Sequence, residues 1–116
     1  MKDFLLLIRT EGDVWTSLSP QQLQEHIEKG TSYIGNLMKE GKLKSAAPLD
    51  KGSRIVTDTN GIIKDGPFNE SKEVIAGYFH IVAKDLQQAV DIAKANPIFK
   101  DIPTKIEVYL MKAVDG

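Results

Sequence analysis

The chain has two histidines and no cysteine, so an imidazole is its best candidate for acid–base chemistry near neutral pH. His26 lies in a segment with helical periodicity, at the edge of an apolar stripe made by Leu23, Ile27, Gly30 and Ile34. A half-buried histidine can act as a general base or acid when a carboxylate or carbonyl orients it. The alternative is a boundary histidine that packs against a sheet and makes a local hydrogen bond.

Asp65 is the carboxylate that we expect to pair with His26. The sequence Asp65-Gly66-Pro67-Phe68 predicts a turn after a strand, because glycine permits unusual φ angles and proline fixes its own. Such a turn would hold the carboxylate rigidly as an acid, a base or an orienting partner. Alternatively, Asp65 only forms the turn and bonds the backbone two residues on. Pro67 and Phe68 are expected to shape the mouth of a binding cavity.

A glycine inside a helix needs a reason, because it costs about 1 kcal/mol relative to alanine. Gly30 therefore indicates either close contact between helix and sheet or room for a ligand. Further candidate binding residues are Arg9, Tyr33 on the same helix edge as His26, Glu70 in a charged cluster, Tyr78 and His80. Each has a structural alternative: a surface salt bridge for the arginine, solvation for the acidic residue, and packing for the tyrosines and the second histidine.

The motif content argues against several classes of protein. Two histidines among scattered carboxylates, without His-x-x-x-His or Glu-x-x-His spacing, predict no metal site, and we expect no cofactor. There is no Gly-x-Gly-x-x-Gly, Walker loop or Gly-x-Ser-x-Gly, so nucleotide cradles and the serine hydrolase elbow are excluded. With 15 basic and 16 acidic side chains, the net charge of -1 gives no electrostatic footprint for nucleic acid.

Length and hydropathy limit the organisation of the chain. Its 116 residues predict a single domain over 1–116. The longest apolar run covers only residues 4–8, far short of the roughly 20 residues of a membrane-spanning helix, so neither a membrane span nor a signal peptide is expected. The lack of cysteine favours a reducing compartment, and we expect the protein to be cytoplasmic.

The helix that carries His26 has a strong start signal. Ser19 can act as N-cap, Pro20 suits the first helical position, and Gln22 completes a capping box. Apolar residues then recur at helical spacing until Gly41, which is typical of a helix C-terminus. The pattern predicts one amphipathic helix of about 20 residues.

Strands and a second helix surround this helix in the sequence. We predict strands at residues 3–9, 42–49, 73–83 and 106–110, a hairpin joining 53–57 to 62–64 through Asn60-Gly61, and a helix capped by Asp85 with Gln88 and ended by Asn96-Pro97. The order strand, helix, strand, hairpin, strand, helix, strand predicts an α+β ferredoxin-like sandwich with an inserted β-hairpin.

Two helices can cover only one face of such a sheet. The strands at 3–9 and 73–83 have apolar residues on both faces, so the second face also needs a cover. A second copy of the sheet is the simplest cover, and we predict a homodimer. The alternative is that the inserted hairpin folds over the open face.

The chain resembles the YCII-related family, specifically its DGPF branch. The resemblance rests on Asp65-Gly66-Pro67-Phe68, then Glu70, Lys72-Glu73 and Ala76-Gly77-Tyr78, with the opening strand, the Ser-Pro helix start and the helix histidine in the family's order. It implies a dimeric α/β barrel with a small-molecule cavity beside the sheet. It further implies that some relatives use a histidine and an aspartate as an acid–base dyad, and that DGPF members are often encoded beside sigma factors.

These observations predict a protein that binds an unidentified small organic molecule between the first helix and the sheet. Asp65 and His26 are then the candidates for cofactor-free proton transfer or elimination. The alternative is a noncatalytic dimeric module that regulates or binds a partner, linked to a sigma-factor system. The sequence leaves open whether a reaction takes place.

Overall fold

The structure, a computed structural model, describes residues 1–11, 14–50, 52–68 and 73–113, with only the backbone at 66–68. Its strands are β1 (Lys2–Glu11), β2 (Leu43–Pro48), β3 (Arg54–Thr59), β4 (Ile62–Phe68), β5 (Glu73–Ala83) and β6 (Thr104–Leu110). Its helices are α1 (Pro20–Lys39), α2 (Leu86–Lys94) and the short α3 (Ile98–Asp101), and a 3₁₀ turn spans Val14–Ser17. Within the described ranges, no helix combines the length and the apolar character needed to cross a membrane.

The main sheet has four antiparallel strands in the order β2-β5-β1-β6. Buried Phe4, Leu6 and Ile8 on β1 alternate with less buried neighbours and form the core together with the helices. One face of the sheet is therefore covered by helices and the other is open. The predicted ferredoxin-like α+β fold is confirmed.

Helix α1 begins as the sequence predicts. The Ser19 hydroxyl accepts a hydrogen bond from the Gln22 backbone N–H at 3.1 Å, and the Gln22 side chain accepts one from the Ser19 N–H at 2.8 Å. These two bonds satisfy N–H groups that have no partner within the helix. At the other end, Gly41 adopts a φ of 70°, which a glycine tolerates without strain.

The buried side of α1 is rotated from its predicted position. Leu23 and Ile27, expected at the centre of the buried stripe, are 38% and 51% exposed, whereas Leu37 is buried. The side chain of His26 is only 14% exposed. The rotation follows from α3, which packs against α1 on the side of His26 and was not predicted from the sequence.

The inserted hairpin forms the predicted tight turn but not the second turn. Asn60 and Gly61 have φ angles of 53° and 81°, as a type I′ turn requires. The turn predicted at residues 65–68 is wrong, because β4 continues through this segment. Asp65 pairs with Val56 and Phe68 with Arg54, so β4 spans one residue more than β3. This bulge accommodates Gly66-Pro67, since a proline has no N–H to give to a ladder.

The β3–β4 hairpin projects from the body of the chain. All of its side chains that the structure describes are exposed, among them Ile55, Val56, Ile62 and Ile63. The radius of gyration is 16.3 Å, compared with about 13 Å for a compact chain of this length. Within the single chain, the hairpin does not bury itself against the open face of the sheet.

A β-bulge changes which residues of β5 lie on each face. Arg9 pairs with Ile75 and Ile8 pairs with Gly77, so one extra residue is inserted in β5 between these pairs. Strict alternation along β5 would place Val74 and Ala76 on the same face as His80, but the bulge reverses the alternation for the residues that precede Gly77. Val74 lies opposite buried Thr10, on the helix-covered side.

Candidate functional site

A pocket of about 370 Å³ lies between α1 and the sheet, and we call it the helix–sheet pocket. Its volume is at the lower end of the range for small-molecule sites, about 300–1,000 Å³. Its wall is mostly apolar and includes Ile8, Trp15, Ile34, Ala46, Phe79 and Ile98. Among the described residues of the wall, His26 is the sole ionisable side chain. A cavity between the first helix and the sheet, as the sequence predicts, is thus present.

The imidazole of His26 is held by a carboxylate. Its Nδ1 lies 2.8 Å from Oδ2 of Asp101, at the end of α3, and Oδ1 of Asp101 lies 3.5 Å from Nζ of Lys29. In the neutral ring, Nδ1–H donates to the carboxylate, which leaves a lone pair on Nε2. The hydrogen bond from His26, and then the Lys29 ammonium, hold the pKa of Asp101 below its usual value. Asp101 is therefore ionised at neutral pH.

The ring of Trp15 packs against the imidazole. The two ring centroids are 5.0 Å apart and the planes are inclined by 59°, a tilted arrangement that aromatic pairs favour. Because Trp15 also forms part of the pocket wall, it shields His26 and limits the orientations of its ring. The imidazole is thus fixed by a hydrogen bond and by an aromatic contact.

Helix α3 is short but firmly anchored, and this anchoring positions Asp101. The Asn96 side chain accepts a hydrogen bond from the Ile98 N–H at 3.0 Å, which starts the turn. Ile98, the first residue of the helix, and Ile102, which follows its last residue, are buried in the core. Burial of these two isoleucines holds α3 against the core and brings its last residue to the side of α1.

Gly30 provides space in the helix–sheet pocket. A Cβ atom built on Gly30 would meet nothing within 4 Å, so close packing of helix on sheet does not explain this glycine. Gly77, on the opposite wall, differs: its Cβ would lie 3.0 Å from the Ala47 carbonyl oxygen. Of the two explanations for Gly30, the structure argues against close contact between helix and sheet, and room for a ligand stays a prediction.

The structure does not bring Asp65 to His26. Asp65 accepts a hydrogen bond from Nη1 of Arg54 at 3.0 Å, and its carboxylate is exposed on the projecting hairpin. The reason is that β4 continues through residues 65–68, so the turn that was expected to direct this carboxylate toward His26 does not form. Pro67 and Phe68 lie in the same strand. The remaining acidic candidate, Glu70, lies outside the described residues.

Arg9, Tyr78 and His80 lie on the open face of the sheet, away from the pocket. Arg9 forms an ion pair with Glu107, as its structural alternative predicted. Tyr78 lies opposite Leu7 of β1.

His80 forms a second histidine–carboxylate pair on that face. Its Nε2 lies 2.9 Å from Oδ1 of Asp3, and Nζ of Lys44 lies 2.6 Å from the same oxygen. The Lys44 ammonium first, and then His80, lower the pKa of Asp3.

Tyr33 has a structural role. Its hydroxyl donates to the Ile92 carbonyl at 2.5 Å, its ring packs on Phe79, and burial raises its pKa to about 12. It borders an open groove of about 620 Å³ between α1 and α2. The described wall of this groove contains no histidine, and its Lys42 is paired with Glu40 at 3.0 Å. The helix–sheet pocket, with its oriented imidazole, is therefore the better candidate site.

Of the residues that form the candidate site, sequence reasoning named His26 and Gly30 but not Asp101 and Trp15. Asp101 is 75 residues from His26 in the chain, and no motif links the two. A weak signal for Trp15 did exist, because it is the one tryptophan of the chain and directly precedes the capped helix.

Nearly the whole chain is similar to one known family. The sequence profile of the YCII-related domain matches residues 2–112, which include every strand and helix of the described structure. No curated protein sequence matches the chain. Because the profile covers far more than half of its length, the chain belongs to the YCII-related family.

Proposed function

We propose that this YCII-related protein binds a small, largely apolar molecule in the helix–sheet pocket and transfers a proton through Nε2 of His26. The observation that carries the proposal is the imidazole held by Asp101 in an otherwise apolar wall. An apolar pocket with a few convergent polar groups is the usual form of a small-molecule site. The proposed pair differs from the Asp65–His26 pair expected from the sequence, because the carboxylate on His26 is that of Asp101.

The proposed chemistry follows from the position of Asp101. When Nε2 takes a proton from the ligand, the ring becomes positively charged, and the adjacent carboxylate stabilises that charge. The apolar wall excludes water and strengthens this interaction. A fixed cation would be needed to hold a phosphate or sulfate, and none lies in the described wall. Neutral or weakly acidic ligands are therefore favoured, and proton transfer or elimination is the reaction class.

Binding can be tested by filling the pocket with a side chain. We expect 2-naphthol, a bicyclic molecule with one hydroxyl, to bind the wild-type protein in isothermal titration calorimetry. In Gly30→Leu, the new side chain enters the free space beside Gly30 and should weaken binding about tenfold or more.

Gly35→Leu is the matched control, because Gly35 lies on the same helix, also has open space around its Cβ, and does not line the pocket. It should keep the wild-type affinity. Equal affinity in both variants, or no binding to the wild-type protein, would contradict the proposed site.

We also propose that the open face of the sheet joins two copies of the chain. The face carries Leu5, Leu7, Ile75, Tyr78 and Val82, none of which belongs to the helix-side core. Three ion pairs on this face are formed within the chain itself: Arg9–Glu107, Lys105–Glu73 and Lys44–Asp3. An apolar face on which opposite charges are paired in this way does not repel a second copy of itself.

The sequence Asp65-Gly66-Pro67-Phe68 supports assignment to the DGPF branch, for which a dimeric α/β barrel is expected.

A further inference from the structure

Thr10, near the end of β1, has a buried hydroxyl without a partner. The residue is 2% exposed, and Oγ1 has no hydrogen-bond partner in the part of the chain that the structure describes. Buried polar groups are almost always paired, because an unpaired one forfeits its hydration without compensation. Among the described residues, this hydroxyl therefore has no role in the folded chain that would offset the cost of its burial.

The hydroxyl belongs to a residue that lines a second pocket. This pocket, which we call the Thr10 pocket, has a volume of about 230 Å³. It shares Trp15, Pro48 and Ala76 with the helix–sheet pocket, so the two are neighbours with common walls. Val74 also lines the Thr10 pocket, because the bulge in β5 turns it toward the helix-covered face.

The distance between the pockets suits a small ring system. Ile8 lines the helix–sheet pocket and Thr10 lines the second one. They are two residues apart on β1, which corresponds to about 6.8 Å along a strand. A bicyclic molecule placed against Trp15 is long enough to reach from one pocket into the other.

We propose that the Thr10 pocket is the second half of the ligand site and that the Thr10 hydroxyl selects ligands with a polar group at that end. The inference rests on the proposed function and adds the class of ligand: an apolar ring system with one polar group for His26 and another for Thr10. Asp50 also lines the Thr10 pocket, and its negative charge disfavours an anion there. The second group is therefore a hydrogen-bond donor such as a hydroxyl or an amine.

Binding of 2-naphthol and of the 2,6- and 2,7-dihydroxynaphthalenes by calorimetry tests the selection. At least one diol should bind the wild-type protein about tenfold tighter than 2-naphthol. Thr10→Val should remove this advantage, so that the diol binds the variant no tighter than 2-naphthol does. Thr10→Ser, which keeps the hydroxyl, should retain the tighter binding of the diol.

The possible failures of this experiment are distinguishable. If the wild-type protein binds none of the three compounds, the proposed function itself fails. If it binds 2-naphthol but gains nothing from either diol, or if Thr10→Val keeps the gain, only the role of Thr10 is overturned.

A second readout needs no ligand. Valine has nearly the shape of threonine without the hydroxyl, so Thr10→Val should raise the Tm of the free protein by about 4 °C. Such a gain is expected where a polar group serves binding rather than folding. A lower Tm would show that the hydroxyl stabilises the fold, and it would overturn the inference.

Discussion

Replacing His26 with glutamine is expected to abolish the elimination of 5-nitrobenzisoxazole that the wild-type protein should catalyse. In this reaction a base removes the proton on C3, the C–H electrons form a nitrile, and the N–O bond breaks to release a coloured phenolate. The substrate is neutral and bicyclic, as the pocket requires. A positioned general base accelerates such a step about 10²- to 10⁴-fold. The rate of His26→Gln, followed by absorbance, should fall to the background of the buffer.

The second histidine provides the matched control. His80 has the same kind of carboxylate partner but lies on the open face, so His80→Gln should keep the wild-type rate. Asp101→Asn should lose about tenfold or more, since the ring is no longer oriented and its positive form is no longer stabilised. Equal losses in the two histidine variants would show that neither is the specific base. An unchanged rate in His26→Gln would refute the acid–base assignment.

A Leu7→Asp variant is expected to be monomeric, whereas the wild-type protein should be a dimer in light scattering at about 10 µM. Leu7 lies within the open face, next to Tyr78 of β5 and Glu107 of β6. A twofold interface would bury the new carboxylate twice, without a partner, and this cost exceeds what an apolar contact of this kind provides. The expected mass therefore falls by half.

Leu86→Asp introduces the same change on α2, where Leu86 is 55% exposed. This variant should remain dimeric, and circular dichroism should show that both variants are folded. A monomeric wild-type protein, or a Leu7→Asp variant that stays dimeric, would contradict the proposed homodimer.

The parts of the fold that were predicted correctly depend on local signals. The capping box of Ser19 and Gln22 and the Asn60-Gly61 turn each involve neighbours in the chain, so a few residues specify them. The turn at 65–68 was wrong for the opposite reason. Whether a strand stops at Gly66-Pro67 depends on the register with β3, and a bulge allowed it to continue.

The sequence predicted the residues that α1 contributes to the candidate site, but not the carboxylate that α3 contributes. Helical periodicity located His26 and Gly30. The carboxylate that pairs with His26 belongs to α3, and α3 forms because Ile98 and Ile102 are buried. Tertiary packing of this kind leaves no pattern around Asp101 in the sequence. The sequence also gives no sign that the Thr10 hydroxyl lacks a hydrogen-bond partner among the described residues, since this depends on its surroundings in the folded chain.

The most direct test of the central claim, that Asp101 orients His26 toward the pocket, is the tautomer of His26 measured by ¹⁵N NMR. At about pH 9, where imidazoles are ordinarily neutral, the proton should be on Nδ1, bonded to Asp101. The Nε2 resonance should then shift when 2-naphthol is added. A proton on Nε2 in the wild-type protein would contradict the account, because that nitrogen would have no lone pair with which to accept a proton from a ligand.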